Sequence, residues 1–434
     1  MKHFRCTVAI TTVISLCWMS IPAWAGTRTP CVALVGGTLH TPEGVIQSGV
    51  LVIEGDRILD VRSGVGAPAH CQIIDVTDKV VTPGLVEPMS HMGLVEVSLE
   101  NRTADADQAG WRGKNPRRIR SGFQVADAYN PRSTLIPVTR LGGITSAISA
   151  PSGGIISGQS VWVDLFGATQ NETIQRAPLA MHATLGASEG GRSVGFTLLR
   201  GLLEEAVDYS GRRKQWEGRR THGQDFSRGD VQAMVPVISG DIPLVVQVDR
   251  ASDIEALLRL AAGLEGARVR LVLAGAAEGW LVRDQLAKAG VAVIVNPLVY
   301  GPGSFDQLQG REDNAILLLK AGVPVMFSTW DTHNARSLAQ VAGNAVRAGL
   351  THEEALNAIT STPARVFGMT SHGHLSKKAL ANIVVWSADP LEVTSTAEHV
   401  FIRGERVPME SRQTRLRERY RALPGSPSAP LPLP

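Results

Sequence analysis

Seven apolar runs of strand length alternate with helical patterns through the middle of the chain. The runs are VVTPGLVEP, ITSAIS, PLAMHA, PLVVQVD, VRLVLAG, VAVIVNPL and VPVMFST. Strands buried on both faces read as continuous apolar runs, and the segments between them carry apolar residues at helical spacing. The pattern predicts an α/β fold, a (β/α)8 TIM-type barrel over residues 81–377, with an eighth strand in the glycine-rich GGIISGQSVWVDL. A doubly wound open sheet is the alternative, but no G-x-G-x-x-G follows a strand.

The two ends of the chain share an all-β pattern. Short runs rich in Val, Ile and Leu occupy residues 31–80, and ANIVVWSADP and HVFIRGERV repeat the pattern near the C-terminus. We expect residues 27–80 and 378–410 to form one small composite β-sandwich beside the barrel. A basic helix and a Pro-rich disordered tail are expected over residues 411–434.

The first 25 residues have the three parts of a secretory signal peptide. Lys2 and Arg5 give a positive start, residues 8–21 are apolar, and AWA at residues 23–25 provides a cleavage site. A membrane anchor is the alternative, but the apolar run is shorter than the ~20 residues that span a bilayer. We expect a cleaved signal peptide and a periplasmic or secreted protein without a membrane span.

Cleavage after residue 25 leaves two cysteines, Cys31 and Cys71. Because disulfides form and persist in oxidising compartments, we expect these two to pair. Two buried thiols are the alternative.

The formal charge is nearly balanced, with 43 Lys and Arg against 40 Asp and Glu. Basic clusters at residues 112–120, 212–220 and 412–421 contain Gly, Pro, Gln or Glu between the charges. This pattern is typical of solvated loops and a terminal helix. We expect no nucleic-acid partner.

The start of the barrel region carries a distinctive motif. Residues 81–94 read VTPGLVEPMSHMGL, and PLVVQVDRASDI, VRLVLAGAAEGWLV and NARSLAQVAGNAVRAGLTHEEALNAITSTPARVFGM follow in order. Together they resemble the amidohydrolase superfamily, and its imidazolonepropionase-like branch in particular, over nearly the whole mature chain. The resemblance implies hydrolysis of an amide or cyclic C–N bond by a metal-activated water. It also implies a small-molecule or peptide-like substrate, a zinc-like divalent metal and a homo-oligomer.

The metal-ligand positions depart from the family pattern. The family's first strand ends approximately V-x-P-G-[LF]-[IV]-D-x-H-x-H, and here Met89 replaces the first histidine while His91 remains. Gln247 stands where the family usually has a ligand histidine, the strand ending at Gly275 carries no histidine, and Trp330 stands at the position of a catalytic aspartate. A thioether is a poor ligand for zinc. The expected metal ligands are His91 and Gln247, with one zinc-like metal or none bound.

Polar residues at the other strand ends are the remaining candidates, namely Glu87, His182, Asp249, Glu278, Asp331 and His333. We take Asp331 and His333 as the catalytic candidates. In a regular strand, the one-residue offset of Asp331 from the family's aspartate position would turn it to the opposite face. Because strand ends are irregular, Asp331 could still reach the barrel mouth.

Structural roles are expected for several other polar residues. Asp249, Asp253 and Glu278 lie at helix starts, where they are predicted to act as caps. Glu87 is predicted to pair with an arginine such as Arg250. The SHGHL histidines at residues 372 and 374 look like a metal pair but lie in a loop that returns to the sandwich, so we expect them on the surface.

Two functions remain open at this stage. The first is an exported hydrolase of C–N bonds in a small or peptide-like substrate. The second is a catalytically inactive protein that keeps the amidohydrolase fold and uses its pocket for binding. Metal content after dialysis, together with amidase or dipeptidase activity on adding metal, separates the two.

Overall fold

The structure is a computed structural model that describes residues 30–64, 66–107, 118–186, 191–212 and 226–421. The predicted signal peptide and the Pro-rich end of the tail lie outside these residues. None of the helices within the described ranges combines the length and apolar character that crossing a bilayer demands.

Strands and helices alternate in the middle of the chain, and strands dominate its two ends. The strands are β1 (Cys31–Thr41), β2 (Gly44–Glu54), β3 (Arg57–Ser63), β4 (Gln72–Asp75), β5 (Val80–Pro83), β6 (Leu85–Ser90), β7 (Ile144–Ser149), β8 (Ile156–Gln159), β9 (Val161–Asp164), β10 (Ile174–Arg176), β11 (Met181–Thr184), β12 (Leu244–Val248), β13 (Leu271–Gly275), β14 (Ala292–Val295), β15 (Val325–Phe327), β16 (Ile383–Trp386), β17 (Ala397–Ile402) and β18 (Glu405–Arg406). The α-helices cover Val125–Ala128, Leu135–Arg140, Gln170–Thr173, Arg192–Gly211, Arg228–Ala233, Val235–Ile238, Ala251–Ala262, Arg283–Lys288, Asn314–Lys320, Leu338–Arg347, His352–Ala358, Ser361–Val366 and Arg412–Arg421.

Both ends of the chain contribute strands to one sheet. Its order is β18-β17-β16-β5-β1-β2-β3, with β4 paired to β1. The junction between the two ends is the antiparallel pair β5–β16, in which Pro83 lies opposite Ile383. Successive residues of β2 alternate between two apolar clusters, because side chains of a strand point to opposite faces in turn. Within the described residues, the strands of the two chain ends form this one composite sheet. The two-sheet sandwich stays a prediction.

The central strands form the TIM-barrel-like α/β part of the fold. β11 to β15 are consecutive parallel neighbours, and β6 and β7 are parallel to each other. The predicted eighth strand is instead two strands, β8 and β9, that join different sheets. β8 lies antiparallel to β11, and β9 lies antiparallel to β7. In the described residues, these strands make a four-stranded and a six-stranded sheet, and no ladder closes the pair into one barrel.

The parallel strands are buried on both faces, which explains their continuous apolar sequences. Val245, Val272, Ile294 and Met326 point into the interior cluster enclosed by the strands. Their sequence neighbours point outward and pack with the helices in a larger cluster. This two-residue alternation decides which side chains reach the interior at each strand end.

A buried polar joint connects the barrel strands to the composite sheet. The Asp164 carboxylate, fully buried at the end of β9, accepts a hydrogen bond from Ser146 Oγ at 2.7 Å and from Asn382 Nδ2 at 3.3 Å. His372 Nε2 lies 3.2 Å from Asp164 Oδ1, and His372 is only 5% exposed. The prediction of a surface histidine is therefore wrong for His372, because its ring completes this joint. His374 is half-buried, and its Nε2 lies 2.9 Å from the Thr370 carbonyl oxygen.

Candidate functional site

A cavity of about 300 Å³ opens at the carboxyl ends of the barrel strands. We call it the mouth cavity and define it by Met89, His91, His182, Gln247 and Trp330, which line it together. His182 in β11 and Gln247 in β12 each lie two residues after an interior residue, Ala180 and Val245, so strand alternation turns both toward the cavity. The carboxyl ends of barrel strands are the usual place for reactive groups.

The ring of His91 has a fixed orientation. Its Nδ1 lies 2.7 Å from the carbonyl oxygen of Ala150, and its backbone N–H donates to Thr332 Oγ1 at 2.9 Å. A carbonyl oxygen only accepts hydrogen bonds, so Nδ1 carries the proton in this contact. Nε2 is thereby left as the acceptor nitrogen of the neutral ring.

His182 is a buried histidine. It is 3% exposed, and neither ring nitrogen has a hydrogen-bond partner among the residues that the structure describes. Burial lowers the pKa of His182 to about 3, and the nearby His91 shifts the pKa in the same direction. The ring is therefore neutral at physiological pH. A buried polar atom without a partner costs about 1–3 kcal/mol, which marks His182 as a position that a ligand would stabilise.

Met89 and Trp330 fill the space beside the two imidazoles. Both are half-buried and pack against the interior cluster. Trp330 has a φ of 56°, a left-handed conformation that costs a residue with a Cβ about 1–2 kcal/mol. The backbone N–H of Trp330 donates a hydrogen bond to Ser328 Oγ at 3.1 Å, which helps to hold this conformation. The indole also lines a second cavity, of about 270 Å³, that contains Asp249 and Tyr300.

The predicted catalytic residues Asp331 and His333 do not line the mouth cavity. The exposed Asp331 carboxylate accepts hydrogen bonds from the backbone N–H groups of His333 and Asn334, and from Asn334 Nδ2 at 2.7 Å. Partial burial alone would raise the pKa of Asp331, but these hydrogen bonds outweigh it and leave the pKa lowered. His333 Nε2 lies 3.1 Å from the Glu96 carbonyl oxygen. Since Trp330 takes the interior position, Asp331 falls on the outer side and organises the loop.

Glu87 does not pair with an arginine as predicted. Its fully buried carboxylate accepts hydrogen bonds from Ser328 Oγ, from the N–H and Oγ of Thr329, and from the Met89 N–H. Burial raises the pKa of Glu87 to about 7, against the opposing effect of these donors. Glu87 thus joins β6 to the segment that follows β15, at the place where the two barrel sheets meet.

The three acidic residues that were predicted to cap helices have partners other than the predicted ones. Glu278 accepts a hydrogen bond from the backbone N–H of Ala251 at 3.0 Å. It therefore caps the start of the helix Ala251–Ala262 from another loop. Asp249 instead accepts from Gln307 Nε2 at 2.9 Å, and Asp253 is bound by Arg192. Burial raises the pKa of Asp249. None of these three residues belongs to the mouth cavity.

The residues at the mouth do not fit the zinc-like site that the resemblance implies. Zinc requires several imidazole, thiolate or carboxylate ligands. The cavity offers two imidazoles and one amide, while a thioether and an indole occupy the remaining positions. Across the ranges that the structure describes, one group of three His, Cys, Asp or Glu side chains lies close enough to share an ion, and it contains the disulfide-bonded Cys31 and Cys71. We therefore derive no step through a divalent metal.

Comparisons with known proteins agree on one family. A family model described as an amidohydrolase family matches residues 282–408. Amidohydrolase tasK from Hapsidospora irregularis is 24% identical over 321 residues, which are 64% of this chain and 32% of that protein. An imidazolonepropionase from Streptomyces griseus subsp. griseus is 40% identical over 52 residues, 12% of this chain and 13% of that enzyme. The chain thus spans about a third or less of these relatives.

The fold has a close counterpart among solved structures. An amidohydrolase from Thermotoga maritima MSB8 superposes with a TM-score of 0.77 at 21% identity, over 87% of this chain and 99% of that one. At this identity the likeness concerns the fold. The family model, the sequence relatives and this superposition agree with one another in indicating an amidohydrolase-like chain. Residues 282–408 of the chain are thus similar to an amidohydrolase family, a short part of its sequence is similar to an imidazolonepropionase, and its fold is that of a solved amidohydrolase.

Proposed function

We propose that the protein is an exported hydrolase that cleaves a C–N bond of a small or peptide-like substrate in the mouth cavity. The observation that carries the proposal is the pair of imidazoles, His91 and His182, facing one cavity at the carboxyl ends of the strands. The similarity to an amidohydrolase family supports the reaction class. The signal-like residues 1–25 and the bond between Cys31 and Cys71 support export, because disulfides persist in oxidising compartments.

The side chains suggest how such a cleavage would proceed. The acceptor Nε2 of His91 takes a proton from a water molecule, whose oxygen forms a bond to the carbonyl carbon. The Gln247 amide donates a hydrogen bond to the carbonyl oxygen as it gains negative charge. The C–N bond then breaks, and the proton on His91 passes to the departing nitrogen. His182, neutral and without a partner, hydrogen-bonds to the substrate.

A second candidate is a binding protein without turnover. It is favoured by Met89 and Trp330, which fill positions where the family pattern has a ligand and a catalytic acid. A cavity of about 300 Å³ lies at the small end of the range for ligand pockets, so a bound molecule would be small.

A single set of assays distinguishes the two functions. Wild-type protein is incubated with amides, cyclic amides and dipeptides, with and without a chelator, and its intact mass tests cleavage before Gly26. For a hydrolase, we expect turnover that survives the chelator and kcat/KM about 100-fold lower in His91→Asn, because general bases contribute that much or more. His333→Asn, outside the cavity, is the matched control and keeps wild-type activity. Absence of turnover by wild type, with a ligand that still raises its melting temperature, would identify the binding protein instead.

A further inference from the structure

The mouth cavity is lined by one methionine and two histidines, and the described residues leave some of the ring nitrogens without a hydrogen-bond partner. Met89, His91 and His182 all line it, and the described residues provide no hydrogen-bond partner for either ring nitrogen of His182. The Nδ1 of His91 bonds to the Ala150 carbonyl oxygen, which leaves the Nε2 of the same ring available. A neutral imidazole enclosed in this way is suited to binding an ion through nitrogen, since it has already lost its contact with water.

The identity of these atoms selects the ion. Thioethers bind soft ions such as Cu(I) and bind zinc poorly, while imidazole nitrogen binds copper well. Of the described residues, none that lines the cavity carries a carboxylate or a thiolate, so these residues do not add the negative charge that hard divalent ions favour. Trp330 and the interior cluster beneath Met89 place apolar surface on one side of the set.

We infer that the mouth cavity binds one Cu(I) ion through Met89 Sδ, His91 Nε2 and a ring nitrogen of His182. The inference goes beyond the proposed hydrolysis, which uses no metal. Bound copper occupies the His91 nitrogen that serves as the base, so copper binding and hydrolysis exclude each other. No oxidation or reduction of the protein is involved, because the ion enters and stays as Cu(I).

Competition with bicinchoninate, a coloured Cu(I) chelator, tests the inference. The full chain is used with Cys6→Ser and Cys17→Ser, so that its remaining cysteines are in the disulfide, and ascorbate keeps copper as Cu(I). We expect one copper per chain and no retained zinc after dialysis. Met89→Leu keeps the shape of the side chain but removes the sulfur, and we expect it to weaken Cu(I) binding at least about tenfold.

Met369→Leu is the matched control, because Met369 packs against the same interior cluster but does not line the cavity. This variant should bind Cu(I) like the parent, and circular dichroism checks that both variants are folded. X-ray absorption of the copper form should show sulfur and nitrogen neighbours, with the sulfur signal lost in Met89→Leu. Equal affinity of the two variants, or a copper spectrum without sulfur in the parent, would overturn the inference. Neither result depends on hydrolysis, so the two proposals fail separately.

Discussion

Glu87 carries a carboxyl group in surroundings that disfavour its charged form. A carboxylate without exposed surface is stabilised as an anion by hydrogen-bond donors, and Glu87 has four of them, from Ser328, Thr329 and Met89. Burial nevertheless outweighs the donors and raises the pKa to about 7 from 4.5. Folding therefore favours proton binding at Glu87, which makes the stability of the protein depend on pH near neutrality.

The pH dependence gives a prediction for Glu87→Gln. Because the folded pKa lies above the unfolded one, the contribution of Glu87 is complete below about pH 4.5 and is lost as the pH rises through 7. The free energy of unfolding of wild type should therefore fall, relative to Glu87→Gln, by about 2–3 kcal/mol between pH 5 and pH 8. Urea unfolding at several pH values measures this difference. Glu43→Gln, in an exposed turn, controls for loss of a surface carboxylate, and parallel curves for Glu87→Gln and wild type would contradict the prediction.

At the same scale, the sequence identified part of the site. Met89, His91, Gln247 and Trp330 were singled out by comparison with the family motif, and all four line one cavity. His182 was among the polar candidates at strand ends, and the structure adds it to the cavity because it lies two residues after the interior Ala180. Its lack of partners could not be read from the sequence, because it depends on which distant side chains surround it.

Among the elements, β4 is a strand with little support from packing. Three of its four residues are exposed, and it pairs only with β1 among the described strands. The disulfide between Cys31 and Cys71 ties the start of β1 to the residue before β4. The cross-link, more than apolar burial, therefore holds this edge of the composite sheet.

Removal of the cross-link should lower stability. The loop that it closes has a sequence separation of 40, for which the chain-entropy model gives about 4 kcal/mol. We expect the double variant Cys31→Ala, Cys71→Ala to lose up to this amount in urea unfolding. Addition of a thiol reductant should destabilise the wild type similarly and leave the double variant unchanged. A wild type that unfolds at the same urea concentration with and without reductant would show that the cross-link adds nothing.

The segment after β15 shows why an element's end is harder to predict than its core. The run VPVMFST was identified as a strand, and β15 lies within it. The direction of the next residues depends on the left-handed backbone of Trp330, which sequence patterns do not indicate for a tryptophan. Trp330 therefore occupies the interior position, and the Asp331 carboxylate accepts hydrogen bonds from its own exposed loop.

In the molecule as a whole, the barrel and the composite sheet are joined through the buried Asp164 carboxylate. Asp164→Asn keeps the shape of the side chain but removes the charge that faces His372 and Asn382. We expect a loss of about 1–3 kcal/mol in the free energy of unfolding, because the Asn amide cannot accept all the hydrogen bonds that the buried carboxylate accepts. Asp389→Asn is the matched control, since Asp389 faces His352 at 2.8 Å with both side chains partly exposed. That change should cost less than about 1 kcal/mol. Equal losses for the two variants in urea unfolding would contradict the assignment of the joint.

The overall architecture was accessible to sequence reasoning for a physical reason. Alternating apolar strands and amphipathic helices have few ways to bury their surfaces, which favoured the TIM-barrel-like fold. The pairing of the two chain ends followed from their shared β pattern. β8 and β9 were not predicted as two strands of different sheets, because a glycine-rich run fits several turns and its pairing partners lie elsewhere in the chain.

The pairing of β5 with β16 also sets an order in time. During synthesis, β5 leaves the ribosome long before β16, because Pro83 and its partner Ile383 are separated by the whole barrel region. Throughout that interval one edge of β5 has no strand beside it, and the whole barrel region is translated in the meantime. The composite sheet is consequently started first and completed last, so a chain interrupted before residue 383 would carry an open sheet edge, a known template for aggregation.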